Sequence, residues 1–439
     1  MPAGFEPQSV TFVSAARGWV LGAVPGGRAP YASLVRTVDG GRTWQGIPAP
    51  RAPLAKSGQK AGVRTLRFAD RLDGWAYGPD LYVTHNGGTS WHKLALGGSV
   101  ADLEAAGGAA YASVVDARGT VSLYSSQVGN DSWSLAVGVP RGLSGSGEIT
   151  LHGRAGWLIT RDRLYATTTG AQWHRLANPS AAQYGMASLA AYDEQRVTLL
   201  CWGNGAAGSS GKIVYTSRDG GRSFIRAGQA PLPGIGGTLA QPEPARVFLA
   251  TSSGASWIYG SFDGGRTWRT VLTAGAGGMP WADFGFTTPV QGVAVIGTPG
   301  PDGSALYMTR NGGSTWSRVR FTATLTTAGQ RQLATATLSG FRAVLIATRV
   351  PGNSPGPQAT VTAAGYKKTP GGWKLIATKT IGKPGGWFWY SVEVCSLTIT
   401  QLKPLPSSAQ ASDTVTVNLL MTPALGCSGP ITVDFGSGR

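Results

Sequence analysis

Thr37-Val38-Asp39-Gly40-Gly41-Arg42-Thr43-Trp44 decides the fold, because it recurs. It returns as Thr84-His85-Asn86-Gly87-Gly88-Thr89-Ser90-Trp91 and as Ser217-Arg218-Asp219-Gly220-Gly221-Arg222-Ser223-Phe224. Two further copies are Ser261-Phe262-Asp263-Gly264-Gly265-Arg266-Thr267-Trp268 and Thr309-Arg310-Asn311-Gly312-Gly313-Ser314-Thr315-Trp316. The shared pattern is a hydroxyl residue, any residue, Asp or Asn, Gly-Gly, any residue, a second hydroxyl and an aromatic. Physically this is a hairpin turn. The Asp or Asn oxygen accepts backbone N–H groups further on, and the glycines supply positive φ. The closing aromatic starts the next strand and fills space between sheets.

Two degenerate copies lie between the second and third. Ser126 to Trp133 keeps Ser132-Trp133 and lacks the Asp; Thr167 to Trp173 is one residue short. The seven closing aromatics then fall at 44, 91, 133, 173, 224, 268 and 316, at intervals of 40 to 51 residues. That period fits a four-stranded propeller blade. Alternating apolar runs place strands around each turn. Arg64–Phe68, Trp75–Tyr77, Leu81–Thr84 and Trp91–Leu94 make up a second blade; Val10–Val13, Gly18–Leu21 and Leu34–Arg36 belong to the first. The reading predicts an all-β chain with a seven-bladed β-propeller over 1–322. Every blade is complete in sequence order, so closure rests on packing of the last blade against the first.

Residues 323–439 carry no such turn. Runs such as Ala343–Ala347, Ala359–Thr362 and Val415–Leu419 read as strands, seven or eight over about 115 residues, and predict a β-sandwich. Gly386-Trp387-Phe388-Trp389-Tyr390 is the densest aromatic cluster. It reads as sandwich core, as a sugar- or polymer-binding strip, or as a face docked on the propeller.

Composition agrees with this class. Gly accounts for 66 of 439 residues and Trp for 15. Glycine at that density disfavours helical bundles, and 42% hydrophobic residues exclude a disordered chain. Lys and Arg number 38 against 21 acids, a net charge of +17 with only 13% charged residues. The charge is diffuse, so a basic surface attracting anionic polymers is expected. Nucleic acid is not, because basic and aromatic residues do not interleave on one stretch. No apolar run is long enough for a membrane helix. Cys201 reads as core. Cys395 and Cys427 pair as a disulfide in an oxidising compartment, or remain two reduced buried thiols. Few Lys, many Thr, Ser, Gly and Trp, and a possible disulfide predict an exported protein, extracellular or at the cell surface; a basic, closed propeller predicts a monomer.

The octapeptides are those called Asp-boxes or BNR repeats, with Asp39, Asn86, Asp219, Asp263 and Asn311 at the capping position. With Gly-Trp in several second strands, residues 1–322 resemble the photosystem II assembly and stability factor family and, more widely, the sialidase-like propellers. The resemblance implies that ligands meet the face opposite the boxes. There Tyr31, Arg64, Arg161, Tyr184, Trp281 and Asp302 are the candidate ligand-binding residues. It implies a non-catalytic binding scaffold for a protein or an anionic polymer or glycan.

The alternative is a glycan-active hydrolase, sialidase-like or endoglucanase-like. It would use Asp102, Glu148 or Asp283 at the channel entrance, since glycosidases need paired carboxyls. The chain has only six Glu and lacks the Arg-Ile-Pro of sialidases near its start. Endoglucanases of this type set two propellers around a cleft, and here there is one. No cofactor is expected. No metal is expected either: the four His lack ligand spacing, and His92 and His174 each simply follow a box Trp.

Overall fold

The protein is described here by a computed structural model. It describes residues 5–23, 31–56, 58–145, 147–181, 184–276, 279–300, 303–319, 321, 330–338, 341–350, 358–369, 372–381, 387–388, 393–402, 413–422 and 426–434. Every regular element among them is a β-strand. No helix among the described residues is long and apolar enough to cross a membrane. The chain divides into two compact units, with the break between Arg320 and Phe321.

The first unit holds seven antiparallel sheets, each running through four strands in sequence order. The third has one added strand, Leu143–Ser144, paired with Thr120–Gln127. The first strands of the seven sheets are Glu6–Phe12, Thr65–Phe68, Ser99–Ala106, Glu148–His152, Met186–Ala191, Thr238–Glu243 and Trp281–Phe286. Each contacts the first strand of the next sheet, and Trp281–Phe286 contacts Glu6–Phe12, so the ring closes. This is a seven-bladed propeller. No strand is borrowed across the seam: blade 1 and blade 7 are each complete. The first inner strand starts at Glu6, four residues before the alternating run beginning at Val10.

Why these residues pack this way is visible in the second strands. Trp19 is fully buried and stacks on Phe68 of the next blade, ring centroids 3.9 Å apart. Its indole N–H donates to the Gly87 carbonyl of that blade's octapeptide at 3.2 Å. The Tyr111 hydroxyl donates to Gly170 at 2.7 Å, and the Trp157 indole to Gly220 at 2.9 Å, in the same sense. A second-strand aromatic thus clasps the turn of the following blade. Trp75 is equally buried, but its indole N–H has no partner among the described residues. The blade that follows it carries the degenerate Ser126–Trp133 turn.

The octapeptides are built as their chemistry requires. The Thr37 hydroxyl donates to Asp39 Oδ1 and accepts the Gly41 amide. The Thr43 amide and hydroxyl close on the two Asp39 oxygens at 2.9 and 2.5 Å. Where Asn replaces Asp, the polarity of the last bond reverses: Asn86 Nδ2 donates to Ser90 Oγ at 2.7 Å, and Asn311 Nδ2 to Thr315 Oγ1 at 2.8 Å. The Ser223 hydroxyl and amide hold the Asp219 carboxyl down to about 2.

The second glycine of each octapeptide is where the turn seats on the preceding blade. A Cβ on Gly313 would fall 2.2 Å from the Phe248 ring of blade 6. A Cβ on Gly264, a first glycine, would meet nothing within 4 Å, though its φ of +78° nearly equals the +80° at Gly313.

The second unit holds two antiparallel sheets. Gln330–Leu338, Phe341–Val350, Gln358–Thr369 and Gly372–Ile381 form one sheet, with Trp387–Phe388 added to Gln358–Thr369. Glu393–Leu402, Asp413–Thr422 and Gly426–Asp434 form a second. Ala343, Leu345 and Ala347 are buried on one face of Phe341–Val350, and Val344 and Ile346 on the other. Cys395 and Cys427 lie on the two strands that flank Asp413–Thr422. Their side chains, and with them the disulfide expectation, lie outside the described residues, as do the aromatic side chains of 386–390. Cys201 is buried in the core between blades 4 and 5.

Ala substitution at the two glycines separates backbone strain from packing. Both residues face the positive-φ penalty of about 1–2 kcal/mol. Gly313→Ala adds an overpacking cost of about 1–3 kcal/mol. Thermal unfolding should therefore show a larger drop for Gly313→Ala than for Gly264→Ala. Equal drops would show that the turn does not seat on Phe248.

Candidate functional site

The inner strand of a blade pairs with a strand on one side only. Its other edge faces the channel and presents N–H groups that burial forbids leaving unpaired. Side chains of the neighbouring inner strand satisfy them. Ser9 Oγ accepts Leu66 N at 3.0 Å, Asp102 Oδ2 accepts Ile149 N at 2.7 Å, and Glu148 Oε1 accepts Leu189 N at 3.2 Å. Ser188 Oγ accepts Leu239 N at 3.3 Å, and Asp283 Oδ2 accepts Val10 N across the seam at 3.0 Å. The two remaining joints follow Thr65 and Thr238. There the acceptor is the carboxylate of the same strand: Asp102 Oδ1 takes Leu103 N and Asp283 Oδ1 takes Phe284 N. All seven matched amides are thus capped.

Asp102, Glu148 and Asp283 are the three carboxyls singled out above for a hydrolase. The structure brings them into one ring, in these capping positions. Asp102 is further held by the Tyr77 hydroxyl. Asp283 also accepts from Ser9 Oγ at 2.5 Å and from both Arg67 NH groups at 3.0 and 3.3 Å. Both oxygens of each Asp are therefore engaged. Glu148 Oε1 also accepts the Ser188 hydroxyl at 2.9 Å.

Arg67 and Glu104 complete the cluster, and sequence reasoning missed both. The Arg67 guanidinium binds Glu104 Oε1 at 2.7 Å as well as Asp283, linking blades 2, 3 and 7. Burial works against its charge, but Asp283 and Glu104 hold it protonated. Burial pushes the Glu148 carboxyl up to about 7; the Ser188 hydroxyl draws it back and the negative Asp102 adds to the rise. Burial likewise takes Glu104 to about 7 against the pull of Arg67. The Glu104 side chain retains 29% exposure, so water in the channel screens it in part. Two carboxyls that hold protons near neutrality beside a fixed cation can exchange protons, but their first role here is to bind blades together.

Around the ring, turns joining first to second and third to fourth strands lie at one end with the octapeptides. Loops joining second to third strands, and fourth to the next first strand, lie at the other. Tyr31 is exposed there and bridges Pro53. Arg64 leads into its inner strand, its amide bonded to Tyr77 O. Arg161 is exposed in the blade 4 loop. Tyr184 packs against the core between blades 4 and 5. The Trp281 indole donates to Thr251 O at 3.0 Å, which makes it a wedge between blades 6 and 7. Asp302 lies outside the described residues.

One loop at this end stands out physically. Lys212 is fully buried, with no carboxylate paired to it among the described residues. Its ammonium donates to the carbonyls of Ser210, Pro231, Leu232, Pro233 and Gly234 at 2.7 to 3.4 Å. Burial lowers it to about 8, which leaves it charged at neutral pH. The cation pins the 231–234 loop, and the loop projects Leu232 and Ile235, 51% and 47% exposed. A Cβ on Gly236 would meet the Trp202 indole at 2.7 Å, and Met186 pairs with Trp202 in register. Leu232, Ile235, Trp202 and Met186 therefore form an apolar rim between blades 5 and 6. An isolated Lys in an apolar strand was the only sequence signal for it.

At the octapeptide end, His85, His92 and Asp131 converge between blades 2 and 3, with Asp73 behind His85. Nothing in the spacing of 73, 85, 92 and 131 along the chain announces this.

No protein-family model matches the chain, and no curated protein matches it. Solved structures do. An ancestral GH74 enzyme aligns over 96% of this chain and 68% of its own, with 12% identity and a TM-score of 0.51. YCF48 from Cyanidioschyzon merolae aligns over 71% of this chain and 97% of its own, with 18% identity and a TM-score of 0.49. YCF48 bound to D1 peptide aligns over 71% and 95%, with 18% identity and 0.48. At these identities the likeness is one of fold, the β-propeller.

Two measurements check the ring. Arg67→Met leaves Glu104 and Asp283 without the cation they share and should cost about 3 kcal/mol, read by denaturant unfolding. The pH dependence has a definite sign. Glu148 holds its proton to about 7 when folded and only to about 4.3 when unfolded. Its contribution is present below the unfolded value and is lost as pH rises through about 7. Glu148→Gln keeps the acceptor for Ser188 and Leu189, so its unfolding temperature should fall less than that of wild type between pH 5 and 8. Parallel profiles would rule out the raised Glu148.

Proposed function

We propose that this protein is a non-catalytic, exported binding scaffold, and that it holds a partner protein segment on the propeller face opposite the Asp-box turns. The observation that carries this reading is the 231–235 loop. A buried ammonium fixes it at four of its carbonyls, so Leu232 and Ile235 are presented without the ordering cost that a free loop meets on binding. Rigid apolar projections beside Trp202 and Met186 suit the side chains of a polypeptide. The +17 charge of the chain favours an acidic one. The ring supports the same reading from the other side. The carboxyls a glycan hydrolase would use serve as caps for the next blade, and Asp102 and Asp283 have both oxygens engaged. Low charge density and abundant Ser, Thr, Gly and Trp support export.

The test is a peptide, glycan and cell-wall polymer array run beside a hydrolysis screen on the same panel. Retention of acidic peptides with apolar residues, without product release, is expected. Leu232→Glu and Ile235→Glu should each weaken that retention at least tenfold. Glu148→Gln should leave it within twofold. Product release abolished by Glu148→Gln would replace the scaffold with the hydrolase. Retention of glycans alone would replace the peptide partner.

A further inference from the structure

We propose that His85, His92 and Asp131 bind a divalent transition-metal ion of the zinc type at the joint between blades 2 and 3. His85 is the second residue of the blade 2 octapeptide, and His92 opens the outer strand that follows it. Asp131 comes from the degenerate turn of blade 3. Their ligand atoms all lie within 4.8 Å of one another. His85 Nε2 and His92 Nε2 approach the same oxygen, Asp131 Oδ2, at 3.3 and 2.7 Å.

The protons do not suffice to explain this arrangement with neutral rings. Asp73 Oδ1 sits 2.6 Å from His85 Nδ1. A carboxylate there accepts, so Nδ1 carries the proton and Nε2 turns a lone pair toward the Asp131 carboxylate. Lone pair faces lone pair unless a cation lies between. Either a second proton or a metal ion fills that role. Asp131 Oδ1 is buried with no hydrogen-bond partner among the described residues, so its charge is little compensated. Two carboxylates and two neutral imidazoles carry a formal charge of −2, which a divalent ion cancels.

The donor set selects the metal. Two imidazole nitrogens and one carboxylate suit zinc, cobalt, nickel or copper; calcium and magnesium prefer oxygen alone. Zinc bonds of ~2.0–2.2 Å in a tetrahedron place ligand atoms roughly 3.3–3.5 Å apart, near the 3.3 Å already present for His85. Asp73 then acts as the outer carboxylate that orients a metal-binding imidazole and raises its basicity. The fourth position is left to water. The site joins two blades at the place where the Trp75 clasp lacks its acceptor, so bound metal should add stability to that joint.

The experiment uses the full chain after EDTA treatment, at pH 7.5, titrated with Zn²⁺ by calorimetry and with Co²⁺ by visible absorption. One ion per chain is expected, with Co²⁺ bands of four-coordinate intensity and a higher unfolding temperature with Zn²⁺. His85→Ala and His92→Ala should each lower affinity at least thirtyfold. Asp73→Asn should lower it about tenfold. His152→Ala with His174→Ala should leave it unchanged. Unfolding of each metal-free variant, compared with wild type, separates lost binding from lost fold. Zn²⁺ binding that persists in both His85→Ala and His92→Ala would overturn the proposal. So would the absence of binding together with an elevated His85 titration by NMR, which would identify a protonated clamp instead.

Discussion

The free edge of seven inner strands is the constraint on which the propeller depends. A ring of sheets cannot pair those edges with backbone, because neighbouring blades meet face to face and not edge to edge. The amides must be capped by side chains, most of which reach sideways from the preceding inner strand. Short hydroxyls do this at Ser9 and Ser188. Carboxylates do it at Asp102, Glu148 and Asp283. The two Asp residues each cap twice, because they follow joints where the matched residue is Thr. This use concentrates negative charge around a narrow channel. Arg67 is the local answer to that charge, and burial, with a smaller push from the neighbouring carboxylates, raises Glu148 and Glu104 to about 7.

The outer parts of the joints vary more freely. An aromatic clasp on a glycine carbonyl serves where the following turn is intact, and also where it is one residue short, as Tyr111 and Gly170 show. In the third blade the turn has lost its capping Asp, and the joint before it relies on other contacts. The histidine and aspartate cluster stands at that joint. The loss of a repeat residue thus coincides with new polar chemistry between the same two blades.

The repeat was legible in the sequence because it is local. Eight consecutive residues contain the donors, the acceptors and the glycines of one turn, and their recurrence counts the blades. The seam was legible for the same reason: each blade reads as complete. The roles of Asp102, Glu148 and Asp283 were not, although their place near the channel was. A carboxylate that caps an amide 47 residues on looks the same in sequence as one that protonates a sugar. Arg67 was hidden in an alternating strand, its partners 37 and 216 residues away. His92 appeared to be a repeat residue because it follows a Trp, and only the fold sets Asp131 beside it. Lys212 is one lysine among several in the sequence, and only the fold surrounds it with five carbonyls.

The seam bond carries a consequence for how the molecule is made. Val10 N and Asp283 Oδ2 are 273 residues apart along the chain. The first inner strand therefore leaves the ribosome with its channel edge unprotected, and the cap arrives only with the seventh blade. At ~5–20 residues per second the wait is roughly 15–55 s. Throughout that time Glu6–Phe12 is an open template for any passing strand, including that of a second nascent copy. At four of the other joints the acceptor stands on the blade already made, so the edge of the new blade meets its cap as it forms. Only the first must wait for the last.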